Sequence, residues 1–136
     1  MTHPLVDRLM KVWDEPVPPG EAGDAAFATC YAAELTLNGV PIKRSELVAQ
    51  ARAMQVTYAE SRREILDLVE AGDKLAVAFV LHVRQTGPLT TPFGVIEPTG
   101  GTASAQVIDI FTLRDGLIVE LTAVADQLGL ITQLRE

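Results

Sequence analysis

The chain carries 136 residues, 48% of them hydrophobic, and its 18 acidic against 11 basic side chains leave a formal charge of −7. That balance argues against a phosphate-backbone binder, which needs clustered Lys and Arg; the single Cys30 excludes an internal disulfide, and one cysteine with two histidines in the whole chain makes a structural zinc site a poor fit. No apolar run nears the roughly 20 residues of a membrane span, and Met1-Thr2-His3-Pro4 lacks the basic and apolar regions of a secretory leader, so the expectation is one acidic cytoplasmic domain over residues 1–136.

The spacing of Leu5, Val6, Leu9, Met10 and Trp13 predicts an amphipathic helix over 5–14, ended by Pro16, Pro18, Pro19 and Gly20. A second helix is predicted from Asp24, as N-cap, through Phe27, Tyr31 and Ala32. Leu35-Thr36-Leu37, Asn38-Gly39 and Val40-Pro41-Ile42 read as a strand, a tight turn and an edge strand. Ser45 is the expected N-cap of a helix that carries Leu47, Val48, Ala51, Met54 and Tyr58 to about residue 59. The period then falls to two, with Ile65, Asp67 and Val69 alternating with Glu64, Leu66, Leu68 and Glu70. Ala71-Gly72-Asp73 turns into a buried strand over 75–83. Residues 86–101, with three prolines and four glycines, predict an irregular loop. Strands over 107–113 and 117–124 flank the turn Arg114-Asp115-Gly116, and the apolar tail over 126–134 is expected to dock.

Helices first and a strand meander last predict an α+β fold, with helices on one face of an antiparallel sheet. Long strands joined by short connections curl. A curled sheet closed by helices forms a cone whose single mouth suits a small apolar ligand.

Several phrases carry a resemblance: Glu70-Ala71-Gly72-Asp73-Lys74-Leu75-Ala76-Val77, Pro98-Thr99-Gly100, Val107-Ile108-Asp109-Ile110-Phe111, Asp115-Gly116-Leu117-Ile118-Val119-Glu120 and Asp126-Gln127-Leu128-Gly129-Leu130-Ile131-Thr132-Gln133-Leu134. With the element order, they resemble the SnoaL-like polyketide cyclase group of the nuclear-transport-factor-two-like (cystatin-like) superfamily. The resemblance implies a curved sheet wrapped around helices and acid–base chemistry without metal or organic cofactor. It also implies a homodimer built through the sheet. The superfamily hosts cyclases, isomerases, epoxide hydrolases and non-catalytic modules, so fold alone does not name the reaction. SnoaL-like cyclases use an aspartate in the last strand and a histidine in the strand before it. With the Asp115-Gly116 turn aligned, that aspartate falls at Ala123, the tryptophan preceding it at Thr122, and the histidine at or near Asp109.

Three catalytic candidates stand out. Asp109 shares a strand face with Val107, Phe111 and Leu113. A carboxylate among apolar neighbours is costly to ionise, which raises its pKa toward the range of a general acid or base. It falls roughly opposite Thr122 and Ala123, whose small side chains leave room for a ligand. The competing arrangement buries Ile108, Ile110 and Thr112 and leaves Asp109 wet or structural. His82 shares a face with Ala78, Val80 and Arg84; there it could shuttle protons while Arg84 holds an enolate or carboxylate. With the other face inside, both meet solvent or a partner. Asp67, if inward, would pair with Asp109 as a carboxylate couple suited to epoxide opening; if outward, it would pair with Arg62 or Arg63.

Tyr31, Tyr58 and Trp13 are expected on helices roofing the cone, either binding a ligand oxygen or packing, with Tyr58 near the mouth. Phe111 would line the wall. Cys30 reads as a small buried hydrophobe. Residues 87–101 are expected to form a lip or a dimer contact. No Gly-rich phosphate motif, nucleophile elbow or HExxH is present. Two functions therefore stay open: an enzyme for cyclisation, isomerisation or epoxide- or ester-type hydrolysis of an apolar oxygenated metabolite such as a polyketide, or a non-catalytic ligand-binding or dimerisation module.

Overall fold

A computed structural model describes residues 3–135. Helix α1 (Pro4–Asp14) starts where His3 Nδ1 accepts a hydrogen bond from the Leu5 amide at 3.2 Å, and Pro4 occupies a position where no backbone donor is needed. It buries Leu5, Val6 and Leu9. Helix α2 (Glu21–Phe27) is shorter than its alanine-rich sequence predicts. Asp24 is not its cap; it lies inside the helix, where its two carboxylate oxygens accept from Arg44 at 3.1 and 3.0 Å. The chain turns out of the helix after Phe27, and Tyr31 opens strand β1 (Tyr31–Leu37) instead of continuing it. Pairing decides this: the Ile118 amide donates to Cys30 O at 2.8 Å and Tyr31 aligns with Ile118, so a tertiary ladder overrides local helix propensity.

Asn38 and Gly39, with φ of 50° and 82°, make the turn into strand β2 (Val40–Lys43). Helix α3 (Arg44–Thr57) begins one residue before Ser45, which is not its cap; Glu46 Oε2 accepts from the Lys43 amide at 2.6 Å. Strand β3 (Tyr58–Ala71) follows without a loop, so Tyr58 also belongs to a strand and not to a helix. Strands β4 (Lys74–Gln85), β7 (Thr102–Arg114) and β8 (Leu117–Ala125) complete the main sheet. The loop between β4 and β7 is not wholly irregular, because β5 (Leu89–Thr91) and β6 (Gly94–Ile96) pair within it. Helix α4 (Gln127–Leu134) is capped by Asp126, whose Oδ1 accepts from the Gly129 amide at 2.9 Å.

The six-stranded sheet runs β2-β1-β8-β7-β4-β3. It is mixed and not purely antiparallel, since β1 and β8 are parallel. Bulges in β3 and between β7 and β8 bend it, and it curves without closing. Along β4 the side chains of Leu75, Val77, Phe79, Leu81, Val83 and Gln85 are buried, while Ala76, Ala78, Val80, His82 and Arg84 face away. The helices cover only the buried side, and the core there is built on residues such as Leu9, Phe27 and Leu47. Each such side chain contributes about 1.5–3 kcal/mol relative to exposure. Two side-chain amides extend the ladder where strands run out: Gln133 exchanges hydrogen bonds with the Ser104 backbone (3.0 and 2.9 Å), and Asn38 does so with Ala123 (2.8 and 3.3 Å).

Candidate active site

A cavity of about 270 Å³ lies between α1, α3 and the concave face of the sheet. Its walls are largely apolar, including Leu9, Met10, Met54, Phe79, Phe111 and Leu121. Into them project Asp109, Arg63, Tyr31, Trp13, Asn38 and Gln50.

Asp109 sits on β7 between Val77 of β4 and Ala123 of β8. Strand alternation puts it inward with Val107 and Phe111, and leaves Ile108 and Ile110 on the outside. Burial pushes its carboxyl pKa up to about 6, against a smaller downward pull from the charge of Arg63. Ala123 presents only a methyl group across the ladder, and Asn38 pins the Ala123 backbone from the far side.

Arg63 was legible in the sequence only as a partner for an outward Asp67; it is a wall residue. Its side chain is 7% exposed. Nη1 donates to Asp14 Oδ1 at 2.5 Å, and the Asp14 carboxylate also accepts from the Arg63 amide at 3.3 Å. The guanidinium carbon lies 5.6 Å from the Trp13 ring centre and 5.8 Å from that of Phe79. On a strand starting at Tyr58, Ser61 and Arg63 align with Val83 and Leu81, two of the buried positions of β4. The early start of β3 was the missing signal.

Tyr31 and Trp13 form a second polar feature. Trp13 Nε1 donates to the Tyr31 hydroxyl at 2.9 Å. An indole only donates, so the phenolic hydrogen remains available to a ligand. Burial drives the Tyr31 pKa far above its ordinary value, keeping it a neutral donor. Phe27 stacks on Tyr31 (5.9 Å) and meets Trp13 edge-on (5.4 Å), which holds both rings.

Most of the remaining candidates stand elsewhere. His82 and Arg84 occupy the outer face of β4, paired with Glu64 (3.0 Å) and Glu60 (2.5 Å), because the alternate residues of that strand fill the core. Asp67 is also outside: the bulge between Ile65 and Asp67 shifts its parity, and its Oδ1 accepts from the Leu68 amide at 2.9 Å instead of meeting Arg62 or Arg63. No carboxylate couple with Asp109 can form across the sheet. Tyr58 is buried beside Asp14, Pro16 and Gln55 in a separate recess. Phe111 and Trp13 do line the cavity. Cys30 is buried, which raises its thiol pKa. Residues 87–101 contribute nothing to the cavity lining; Leu89 and Ile96 pack on the core. Among the described residues no group of three His, Cys, Asp or Glu side chains is placed to hold a metal ion, and no helix is long and apolar enough to cross a membrane.

The family profile described as SnoaL-like polyketide cyclase matches residues 5–134. The chain belongs to the SnoaL-like polyketide cyclase family. Solved structures share its fold. TsrD from Streptomyces laurentii is 26% identical, with a TM-score of 0.80, over 96% of this chain and 92% of its own. IdmH from Streptomyces antibioticus is 17% identical, with a TM-score of 0.77, over 98% and 97%. A protein from Catenulispora acidiphila described as having a ketosteroid isomerase-like fold, solved with trimethylamine, is 14% identical with a TM-score of 0.75, over 99% and 95%. The last two likenesses speak for the fold alone. No curated protein matches the sequence. Within this SnoaL-like frame Ala123 occupies the position at which the resemblance puts the aspartate, and Asp109 is its direct neighbour across the ladder.

Proposed function

We propose that this SnoaL-like protein is an acid–base enzyme that forms an enolate from an apolar, carbonyl-bearing small molecule of the polyketide type, leading to cyclisation or isomerisation. The observation that carries the reading is one carboxyl group, Asp109, poised near pH 6 on the wall of a cavity with open space beside it. Directly opposed side chains in an antiparallel pair have Cβ atoms about 5 Å apart. A carboxylate at 109 therefore reaches the volume that one at 123 would serve.

In the step proposed, the ionised Asp109 takes the proton α to a carbonyl. The electron pair moves onto the carbonyl oxygen, where the Tyr31 hydroxyl and the Arg63 guanidinium donate hydrogen bonds. The proton returns to a different carbon in an isomerisation. In a cyclisation the enolate carbon attacks a second carbonyl, and protonated Asp109 gives its proton to the new alkoxide. The charge that develops falls between donors already fixed by Trp13 and Asp14. Hydrolysis by a carboxylate pair loses its support, because Asp67 and Asp109 lie on opposite faces.

A non-catalytic binding module is the second reading, favoured by Ala123 where the resemblance puts an aspartate. Against it, Phe79, Phe111, Leu121 and Trp13 surround the cavity and do not fill it. The outer sheet face supports a homodimer: Val69, Ile108, Ile110 and Val124 are exposed there. A stripe of this kind suits a second copy of the chain.

The test is deuterium wash-in at the α-carbon of simple cyclic aryl ketones in D₂O, followed by NMR. Wild-type protein should accelerate exchange, and Asp109→Asn should reduce it by about 100-fold or more. Binding of the ketones without accelerated exchange would establish the module and end the enzymatic reading.

A further inference from the structure

Arg63 has more hydrogen-bond donors than the protein uses. A guanidinium offers five N–H groups, and among the described residues Nη1 alone has a protein acceptor, Asp14. Among the described residues, the side-chain N and O atoms that are both sealed and unpaired are Arg84 Nε and Gln85 Oε1. Among the described residues Nε and Nη2 of Arg63 are therefore unpaired but not sealed, on a side chain that lines the cavity. The Trp13 and Phe79 rings flank the guanidinium and restrict its movement. The Tyr31 hydroxyl adds another free donor from β1.

Charge counting gives these donors a purpose. The titratable groups facing Asp109 are Arg63 from β3 and Tyr31 from β1, with Asp14 of α1 behind Arg63. The walls from α3, β4 and β8 contribute none among the described residues. Arg63 and Asp14 cancel, and Tyr31 stays neutral. The cavity thus holds a single negative charge when Asp109 is ionised and none when it is protonated. An anionic ligand can supply that charge in place of Asp109, provided Asp109 takes a proton. The same distribution, an oxyanion beside a protonated carboxyl, is the one reached when an enolate forms.

Resting on the reading of this cavity as the ligand site, we propose that its ligand is an acid: an apolar frame bearing one anionic oxygen group, a carboxylate or a stabilised enolate, seated on the free donors of Arg63 and Tyr31, with one proton taken up by Asp109 on binding. The cavity of about 270 Å³ is at the small end of the roughly 300–1,000 Å³ usual for ligand sites, so the frame is one or two fused rings.

Calorimetry on wild-type protein tests this with three probes: 2-naphthoate, its neutral methyl ester, and 1,3-indanedione as an acidic 1,3-dicarbonyl. At least one of the two acids should bind about tenfold or more tighter than the ester at pH 6, the yield of one charge-assisted hydrogen bond. The better acid identifies the oxyanion type. Titrations at pH 7.5 in buffers of different ionisation heat should show uptake of about one proton per 2-naphthoate; 1,3-indanedione should show uptake only for its already ionised fraction, since the neutral form passes its own α-proton to Asp109. That uptake should vanish in Asp109→Asn while acid binding persists. Arg63→Leu should erase the preference for acid over ester. If the ester binds as tightly as both acids, or an acid binds without the proton uptake expected of it, the inference falls and the ligand-site reading stands. If none of the three binds, both fall.

Discussion

Asp109 and Ala123 face each other directly across the β7–β8 ladder, and the methyl group of Ala123 gives the Asp109 carboxylate its open space. Asn38 fixes that relationship by gripping both backbone groups of Ala123 from the hairpin turn. Ala123→Leu should fill the space next to the carboxylate. We expect loss of ketone exchange and of acid binding, with overpacking costing about 1–3 kcal/mol in denaturant unfolding. Retained binding in this variant would place the ligand elsewhere.

Asp109 also links function to stability. Its pKa is raised by burial from 3.8 to about 6. Well below pH 3.8 the group is protonated in both states and costs nothing. As pH rises from 4 to 6 the unfolded chain loses its proton first, so the folded state is penalised progressively. Above pH 6 the penalty is complete, on the order of 2–3 kcal/mol. Asp109→Asn should therefore be more stable than wild type at pH 8 and nearly equal to it near pH 3.5, as measured by thermal unfolding across pH. Exchange of a neutral ketone runs the other way: its kcat/KM should rise with pH through about 6 and then level off, because the base form is the active one. A stability difference independent of pH would mean that the carboxyl is solvated.

Tyr31 is held as a donor by Trp13 and kept neutral by burial. Tyr31→Phe removes the phenolic hydrogen while preserving the ring that Phe27 stacks on. Exchange should fall about 10²–10³-fold, the usual loss for one oxyanion donor. The pH midpoint should stay where it is, since Asp109 sets it. Stability should drop by only about 1 kcal/mol, for the indole N–H left without its acceptor. A shifted midpoint with an unchanged plateau would make Tyr31 a modulator of Asp109 and not a ligand to the oxyanion.

Much of this arrangement was legible beforehand, for identifiable reasons. Asn38-Gly39 and Asp115-Gly116 announce their turns because few residues tolerate positive φ. The apolar set Val107, Phe111 and Leu113 makes an inward Asp109 one of two open parities, and the packing of that set in the folded core selects it. What stayed hidden depends on long-range pairing or on a local irregularity. Tyr31 leaves its helix because β8 pairs with it, a partner about ninety residues away. The parity of His82 and Arg84 could not be chosen between two plausible faces until the buried set of β4 was known. Asp67 changes face through one extra residue, a bulge that leaves no compositional mark. Arg63 was obscured by its neighbours, which are charged and lie outside or at the rim.

The outer face predicts assembly. Ile108 is 54% exposed and Val124 68%, and the two are paired across β7 and β8. Light scattering should give a dimer mass for the wild type. The double substitution Ile108→Glu and Val124→Lys should yield a monomer that stays folded, since neither side chain is in the core. A monomeric wild type would remove the sheet-to-sheet assembly and leave the cavity chemistry untouched.

Arg63 and Asp14 form an ion pair behind the cavity wall. Asp14 neutralises Arg63, so the guanidinium acts on Asp109 only as a partly cancelled charge. Asp14→Asn removes the cancellation while keeping a side-chain oxygen to accept from Nη1. The fuller positive charge should favour ionised Asp109 and lower its pKa below about 6. The kcat/KM profile should then reach its plateau at lower pH, and 2-naphthoate should bind more tightly at pH 7.5, because the cavity has gained one unit of positive charge. Stability should fall by about 1–3 kcal/mol, the cost of a buried donor that loses its charged partner, moderated because the Asp14 side chain is 24% exposed. An unmoved pH midpoint would mean that Arg63 does not tune Asp109, and the assignment of Arg63 to the oxyanion would then rest on ligand affinity alone.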